Sequence, residues 1–289
     1  MIHYEIVKNW AFADIEHSFV ARDTMLYALG IGMGADPLDE AELAFVYERQ
    51  LQAVPTMVSV IGSPGPWLRD PRTGADYGKL VHGEQSIRIL APLLPAATVI
   101  ARNRIVSLTD KGAGKGAILV VLRELREQGS STLLAESRQV SFLRGDGGFS
   151  AESGISDPGP EPLPPVPERG PDIELSLPSL ERQALIYRLS GDYNPLHADP
   201  AVAAAAGFKR PILHGLCSYG MAAHALLKSV CGYQAARLRE LAVRFTAPVY
   251  PGETIRFQMW QASAEAWHLR ARVDARDLIV LNNGLARVI

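Results

Sequence analysis

The run Gly215–Cys231 constrains this chain more than any other segment. It is long and apolar, carries few charges and stops at Gly232. A helix that is apolar on every side has to be buried on every side. Strands able to cover it follow directly: Glu240–Thr246, Thr254–Ala262, Trp267–Asp274 and Asp277–Ala286. The first half offers a comparable series, Thr56–Ile61, Glu84–Leu90, Val99–Leu108, Ala117–Glu124 and Leu133–Leu143. Several of these are rich in Val, Ile and Leu and are bounded by Gly or Pro. Helical patterns precede both series, at Asp23–Leu29, Leu38–Leu51 and Ser179–Leu189. Each half therefore places helices before an antiparallel meander. The expected class is α+β, two antiparallel sheets each wrapped around its own long helix. The halves do not repeat in sequence, so duplication is an expectation from pattern alone.

A boundary falls at Ser156–Asp172, which reads SDPGPEPLPPVPERGPD. Its prolines remove donors and restrict their neighbours, which excludes a helix or a central strand. The expectation is an extended linker, partly polyproline II, running to about residue 175. It would separate an N-terminal domain, 1–155, from a C-terminal domain, 176–289.

Composition mainly excludes. The 289 residues carry a formal net charge of -2, with 21% charged and 47% hydrophobic residues. No long basic run stands out, so nucleic acid is not an expected partner. The apolar stretch Ile89–Ala101 is short and holds Pro92 and Pro95, whereas a membrane helix needs about 20 apolar residues. No membrane span is expected. Cys217 and Cys231 share one apolar segment and read as buried free thiols of a reducing compartment. Met1–Trp10 lacks a basic region followed by an apolar core, and the chain ends Ala-Arg-Val-Ile, so the expected location is the cytoplasm.

Two glycine-rich stretches invite nucleotide readings that their context defeats. Lys111–Gly116, KGAGKG, is followed by Ala117 and a strand, where a phosphate loop requires Ser or Thr and a helix. It reads as a turn between strands. Gly30–Gly34, GIGMG, follows a helical pattern where a dinucleotide loop follows a strand. It reads as a helix end and loop.

The chemistry gathers in GDYNPLHADP, Gly191–Pro200. Asp192, Asn194 and His197 lie within six residues, and Pro195 prevents a regular helix between them. Such a loop can turn a carboxylate, an amide and an imidazole toward one point. Asp199 before Pro200 has a different job, as the cap of the helix over the alanine run. Asp192, His197 and His214 are conceivable metal ligands, but their spacing matches no familiar metal motif, and no metal is expected. The buried helix beginning near His214–Gly215 presents unpaired N–H groups and positive dipole character. Gly215 lets a ligand approach the backbone closely, as an oxyanion site requires. A helix start satisfied by loop carbonyls fits the same residues equally. His224, inside that helix, reads as a core histidine.

YRLSGDYNPLHADP (Tyr187–Pro200) with GFKRPILHGLCSYG (Gly207–Gly220) closely resembles the hydratase 2 motif of MaoC-like, hot-dog-fold proteins. That family includes the hydratase part of the peroxisomal multifunctional enzyme of fatty-acid β-oxidation. VRFTAPVYPGETIRFQMW (Val243–Trp260), VLNNGLARV (Val280–Val288), RDTMLYALGIG (Arg22–Gly32) and VHGEQSIRILAPL (Val81–Leu93) carry the likeness over nearly the whole chain. The resemblance implies a double hot-dog fold whose second half keeps the catalytic loop. The first half has no second Asp-x-Asn-Pro-x-His, and by the resemblance it makes room for bulky acyl chains.

The implied activity is hydration of trans-2-enoyl-CoA to (3R)-3-hydroxyacyl-CoA. Asp192 and His197 would hold a water and move its protons, Asn194 would orient them, and the Gly215 N–H would take the thioester oxygen. Lys209 and Arg210 are candidates for the phosphates of coenzyme A, with solvated surface charges the equal alternative. No cofactor is required, and a homodimer is the family-level expectation. Three alternatives stand beside this: a (3R)-hydroxyacyl-thioester dehydratase running the same site in reverse, a thioesterase, and a non-catalytic acyl-CoA binder.

Overall fold

The computed structural model describes residues 2–289. Its strands are β1 (Ile15–Phe19), β2 (Leu80–Ile89), β3 (Ala97–Asp110), β4 (Ala117–Glu127), β5 (Leu133–Leu143), β6 (Ile173–Pro178), β7 (Leu238–Phe245), β8 (Thr254–Gln261), β9 (Ala266–Val273) and β10 (Leu278–Val288). They form one ten-stranded sheet in the order β1-β3-β4-β5-β2-β7-β10-β9-β8-β6. Read inward from either edge, each half runs first, third, fourth, fifth, second strand. The sequence halves are therefore two copies of one α+β hot-dog topology related by a pseudo-twofold.

Two parts of the expected architecture are corrected. The sheet is single, because β2 pairs antiparallel with β7, from Glu84 opposite Arg244 to Arg88 opposite Glu240. Each half would otherwise end in an edge of unpaired N–H and C=O groups, and the pairing satisfies both edges at once. Only the second half has a long helix, Gly215–Ser229. In the first half its place is taken by a 3-10 turn, Pro55–Ser59, all of whose residues are buried. Thr56–Ile61 is therefore not a strand. Pro55 sets a helical φ at the start of the turn, and Gly62 and Pro64 stop the helix before it can lengthen.

Smaller differences have similar causes. Of the Leu38–Leu51 pattern only Glu40–Leu43 is α-helical, with the Asp39 carboxylate accepting the Glu42 N–H at 3.2 Å. Ser179–Leu189 shortens to a helix Gln183–Tyr187 and a 3-10 turn Arg188–Ser190. Leu180, Leu185 and Leu189 face outward, while Ala184 and Tyr187 are buried. The Tyr187 ring packs 5.9 Å from that of Tyr27 in the opposite half, and this contact fixes the helix phase. Lys111–Gly116 is the β3–β4 turn, and the Gly30–Gly34 stretch ends the helix Ala21–Gly30.

The proline-rich segment has no regular structure until β6 begins at Ile173, inside the stretch expected to be linker. Ile173, Leu175 and Leu177 alternate toward the core around the long helix, which makes this end a strand. The rest is tied down. The Asp157 carboxylate accepts from Tyr4 Oη (3.0 Å), Lys8 Nζ (2.6 Å) and the Leu108 N–H (2.7 Å). At the other end, Trp260 Nε1 donates to the Arg169 carbonyl at 2.8 Å.

The long helix is the core. Every residue from Cys217 to Leu227 is buried. The first half reaches it at Gly220, where a Cβ would stand 2.4 Å from Ile31 Cγ2 and 3.1 Å from Tyr27 Oη. One turn earlier, Cys217 Sγ donates to the Gly30 carbonyl. Gly220→Ala should therefore destabilise the protein by about 1–3 kcal/mol, although alanine is the better helix former. A urea midpoint equal to or above that of the parent would contradict this packing.

Candidate active site

The loop Gly191–Pro200 is built by its own side chains. Asp192 Oδ1 accepts the Asn194 N–H at 3.1 Å, and Asn194 Oδ1 accepts the Leu196 N–H at 3.1 Å. The second contact caps a 3-10 turn, Pro195–His197, that carries His197 into the interior. It occupies the Asn194 oxygen and leaves the amide nitrogen for other partners. Asp199 caps the next helix, Pro200–Ala205, by accepting the Ala201 N–H at 2.8 Å.

His197 is only 8% exposed, and its Nδ1 lies 2.9 Å from the Ile212 carbonyl. A carbonyl can only accept, so Nδ1 carries the hydrogen and Nε2 keeps its lone pair. His214 Nε2 likewise donates to the Asp192 backbone carbonyl at 3.1 Å, and its buried Nδ1 has no partner among the described residues. The two imidazoles stack with centroids 3.7 Å apart. One donor atom each from Asp192, His197 and His214 falls within 4.8 Å of the others. The structure thus brings together Asp192 and His197, which the sequence places in one loop. His214, expected only as a helix start or a conceivable metal ligand, joins them.

Gly215 is the first residue of the long helix. No side chain caps that helix start, so the first N–H groups have no intrahelical acceptor. A Cβ at Gly215 would stand 3.3 Å from Phe245 Cε1, and the missing side chain keeps the helix start open. Behind Phe245 lies His82 of β2, with ring centroids 4.8 Å apart. A bulge between His82 and Glu84 aims His82 inward, and the Asp192 charge acts on it. His82 was not anticipated; Gly83 beside it, which lets the strand bulge, was the available signal.

Lys209 and Arg210 lie on the segment leading to the long helix, and both approach the face of Tyr250, at 4.9 and 5.4 Å. Arg210 is engaged by Glu181 (3.3 Å) and the Pro251 carbonyl (3.0 Å). Lys209 has no carboxylate partner among the described residues. A larger cleft, about 530 Å³, lies on the outer face of the sheet at the β2–β7 seam. Its charges largely neutralise one another, as in Arg88–Glu240 and Arg287–Glu265, and it is remote from the loop.

The class is thus a double hot-dog protein with a carboxylate and two neutral imidazoles beside an uncapped helix start. Residues 163–282 match the MaoC like domain, and residues 17–145 match the MFE-2 hydratase 2 N-terminal domain. The chain is 41% identical over 259 residues to enoyl-CoA hydratase 2, peroxisomal, of Arabidopsis thaliana, covering 86% of this chain and 83% of that protein. It is 40% identical over 272 residues to 3-hydroxyacyl-thioester dehydratase Y of Mycobacterium tuberculosis, covering 91% and 90%. The crystal structure of a MaoC-like dehydratase from Phytophthora capsici superposes with a TM-score of 0.85 at 34% identity, over 99% and 98% of the two chains. The chain belongs to this MaoC-like family of hydratases and dehydratases.

Burial sets the protonation states. It holds His197 below the usual imidazole range, against the opposing pull of the Ile212 carbonyl and Asp192. It pushes His214 down to about 4, helped by the neighbouring His197. Both rings are neutral at pH 7. An unfolded histidine titrates near 6.5, so between about pH 6.5 and 4 the unfolded chain binds a proton that folded His214 refuses. The stability contributed by neutral His214 is complete above that window and is lost as pH falls through it. Urea midpoints measured from pH 7 to 4 should fall, and His214→Gln should flatten part of that slope. An unchanged slope in the variant would remove His214 from the acid limb.

Proposed function

We propose that this protein hydrates trans-2-enoyl-CoA to (3R)-3-hydroxyacyl-CoA. The observation that supports the reading is that donor atoms of Asp192, His197 and His214 lie within 4.8 Å of one another, with His214 immediately before the uncapped helix start at Gly215. Conjugate addition of water needs a base for the water and a donor for the thioester oxygen, and these groups supply both.

In this reading Asp192 and His197 Nε2 hold one water. His197 is the base, because its Nδ1–H is committed to Ile212 and Nε2 keeps a lone pair at neutral pH. The water oxygen bonds to the β-carbon as its proton passes to the pair. The C=C electrons move toward the thioester carbonyl, where the Gly215 N–H stabilises the oxygen. That term is worth roughly 3–4 kcal/mol by comparison with known oxyanion donors. The pair then returns a proton to the α-carbon, so the site ends as it began. No cofactor enters. Asn194 positions Asp192 and His197 through the turn that it caps, and Lys209, free of carboxylate partners, meets a phosphate of coenzyme A, with Arg210 beside it.

The Arabidopsis relative is named for hydration and the Mycobacterium tuberculosis relative for dehydration, which is the same site run in reverse. The hydration direction accords with β-oxidation of acyl-CoA. The reading also includes a homodimer in the cytoplasm. Among the described residues, no helix is long and apolar enough to cross a membrane.

Asp192→Asn and His197→Ala should each lower turnover with a medium-chain trans-2-enoyl-CoA by at least about a hundredfold, while the far-UV spectrum stays that of a folded protein. Near-parental turnover in a folded variant would remove that residue from the mechanism.

A further inference from the structure

The concave face of the first half carries a polar patch among its apolar residues, where that of the second half is apolar. In the second half, Phe257 and Met259 on β8 and Leu269 and Ala271 on β9 are buried in the core around the long helix. On the first half, one cross-strand row reads Asn103–Arg123–Ser137 over β3, β4 and β5. The next row reads Val121–Gln139–Gln85, and the next Leu119–Ser141–His82. A chain of polar side chains thus leads from His82, at the candidate active site, to Arg123. Gln85 Nε2 donates to Ser137 Oγ at 2.9 Å, and Gln139 Nε2 donates to Ser141 Oγ at 3.0 Å.

Between this face and the segment from Ser59 to Leu68 lies a cavity of about 110 Å³, with Arg123, Ser137, Gln139 and Ser141 in its wall. The space exists because the first half keeps only the turn Pro55–Ser59 where the second half has a full helix.

Arg123 is 8% exposed, and no carboxylate pairs with it among the described residues. Its Nε donates to Asn103 Oδ1 (3.1 Å), and its Nη1 to the carbonyls of Ser59 (3.1 Å) and Ile61 (2.9 Å). No protein acceptor meets Nη2 among the described residues, and the buried Asn103 Nδ2 has no partner there either. Capping the 3-10 turn accounts for Nη1 but not for these two remaining donors. A buried cation with only neutral acceptors is costly, and burial pushes the Arg123 guanidinium down to about 10.

We propose that this cavity is the far end of the acyl site and receives a carboxylate, so that the protein takes acyl thioesters carrying an ω-carboxyl group. The inference rests on the reading that an acyl thioester reacts at Asp192 and His197. From His82 to Arg123 is two strands across and two rows along. At ~4.8 Å per strand and ~3.3 Å per residue that is roughly 16 Å, the reach of a medium-length chain. The carboxylate supplies the counter-charge that the Arg123 guanidinium lacks and accepts from Nη2.

The test is calorimetric binding of saturated ω-carboxyacyl-CoA and of the unsubstituted acyl-CoA of equal length, so that no turnover is needed. The ω-carboxyl ligand should bind at least about tenfold more tightly, in keeping with a charge-assisted hydrogen bond. Arg123→Gln should bring the ratio of the two Kd values close to one, and Arg123→Lys should keep part of it. Because Arg123 also caps a turn, Gln139→Leu serves as a second variant that leaves that cap in place, and it should lower the ratio as well. Equal Kd values in the parent protein, or a ratio unmoved in folded variants, would overturn the inference. Hydration of the matching trans-2-enoyl-CoA is measured separately. Tight ω-carboxyl binding without hydration would sink the proposed reaction and leave the cavity assignment standing.

Discussion

The burial of one helix organises this protein. Gly215–Ser229 is apolar almost throughout, and its middle eleven residues, Cys217 to Leu227, are out of solvent. No single short sheet edge can cover such a rod, so strands of the second half wrap it and the first half closes on it at Gly220. The rod begins at the candidate site. His214, the residue before its first turn, stacks on His197 and bonds to the Asp192 carbonyl. Helix-start N–H groups without a side-chain cap can donate to a partner from outside the helix.

The pseudo-twofold gives each half the same strand order, and the differences between the halves are where function gathers. One half spends its helix on the core and keeps the Asp-x-Asn-Pro-x-His loop. The other reduces that helix to Pro55–Ser59 and gains space under a sheet face lined by Arg123, Ser137 and Gln139. The shared seam, β2 against β7, brings His82 of one half against Phe245 of the other. The candidate site thus belongs to both halves, although Asp192, His197 and His214 come from one.

Much of this was legible in the sequence, and the failures have physical reasons. β5 was read with its observed ends because Leu133–Leu143 has clear turns on both sides. The break at Pro195 and the Asp199 cap were legible because Pro195 and Pro200 leave few conformations. The Thr56–Ile61 alternation of β-branched residues mimicked a strand, whereas Thr56–Ser59 are buried in a 3-10 turn. Ser179–Leu189 was read as one long helix because Leu180, Leu185 and Leu189 suggest an apolar stripe, whereas these three are exposed and the buried side is set by Gln183, Ala184 and Tyr187. Strand pairing across the seam depends on contacts between distant segments, and local periodicity carries none of that information. Arg123 left a trace, since it occupies the inward phase of Leu119, Val121 and Leu125, where a charge is out of place.

In the proposed reaction the Asp192–His197 pair adds water stereospecifically to a conjugated thioester. The most direct measurement is incubation of the purified protein with a medium-chain trans-2-enoyl-CoA in deuterium oxide, followed by chiral and mass analysis of the product. The expected result is loss of the conjugated absorbance and a (3R)-3-hydroxyacyl-CoA carrying one carbon-bound deuterium at the α position. Persistence of the absorbance, release of free coenzyme A, or a (3S) product would contradict it.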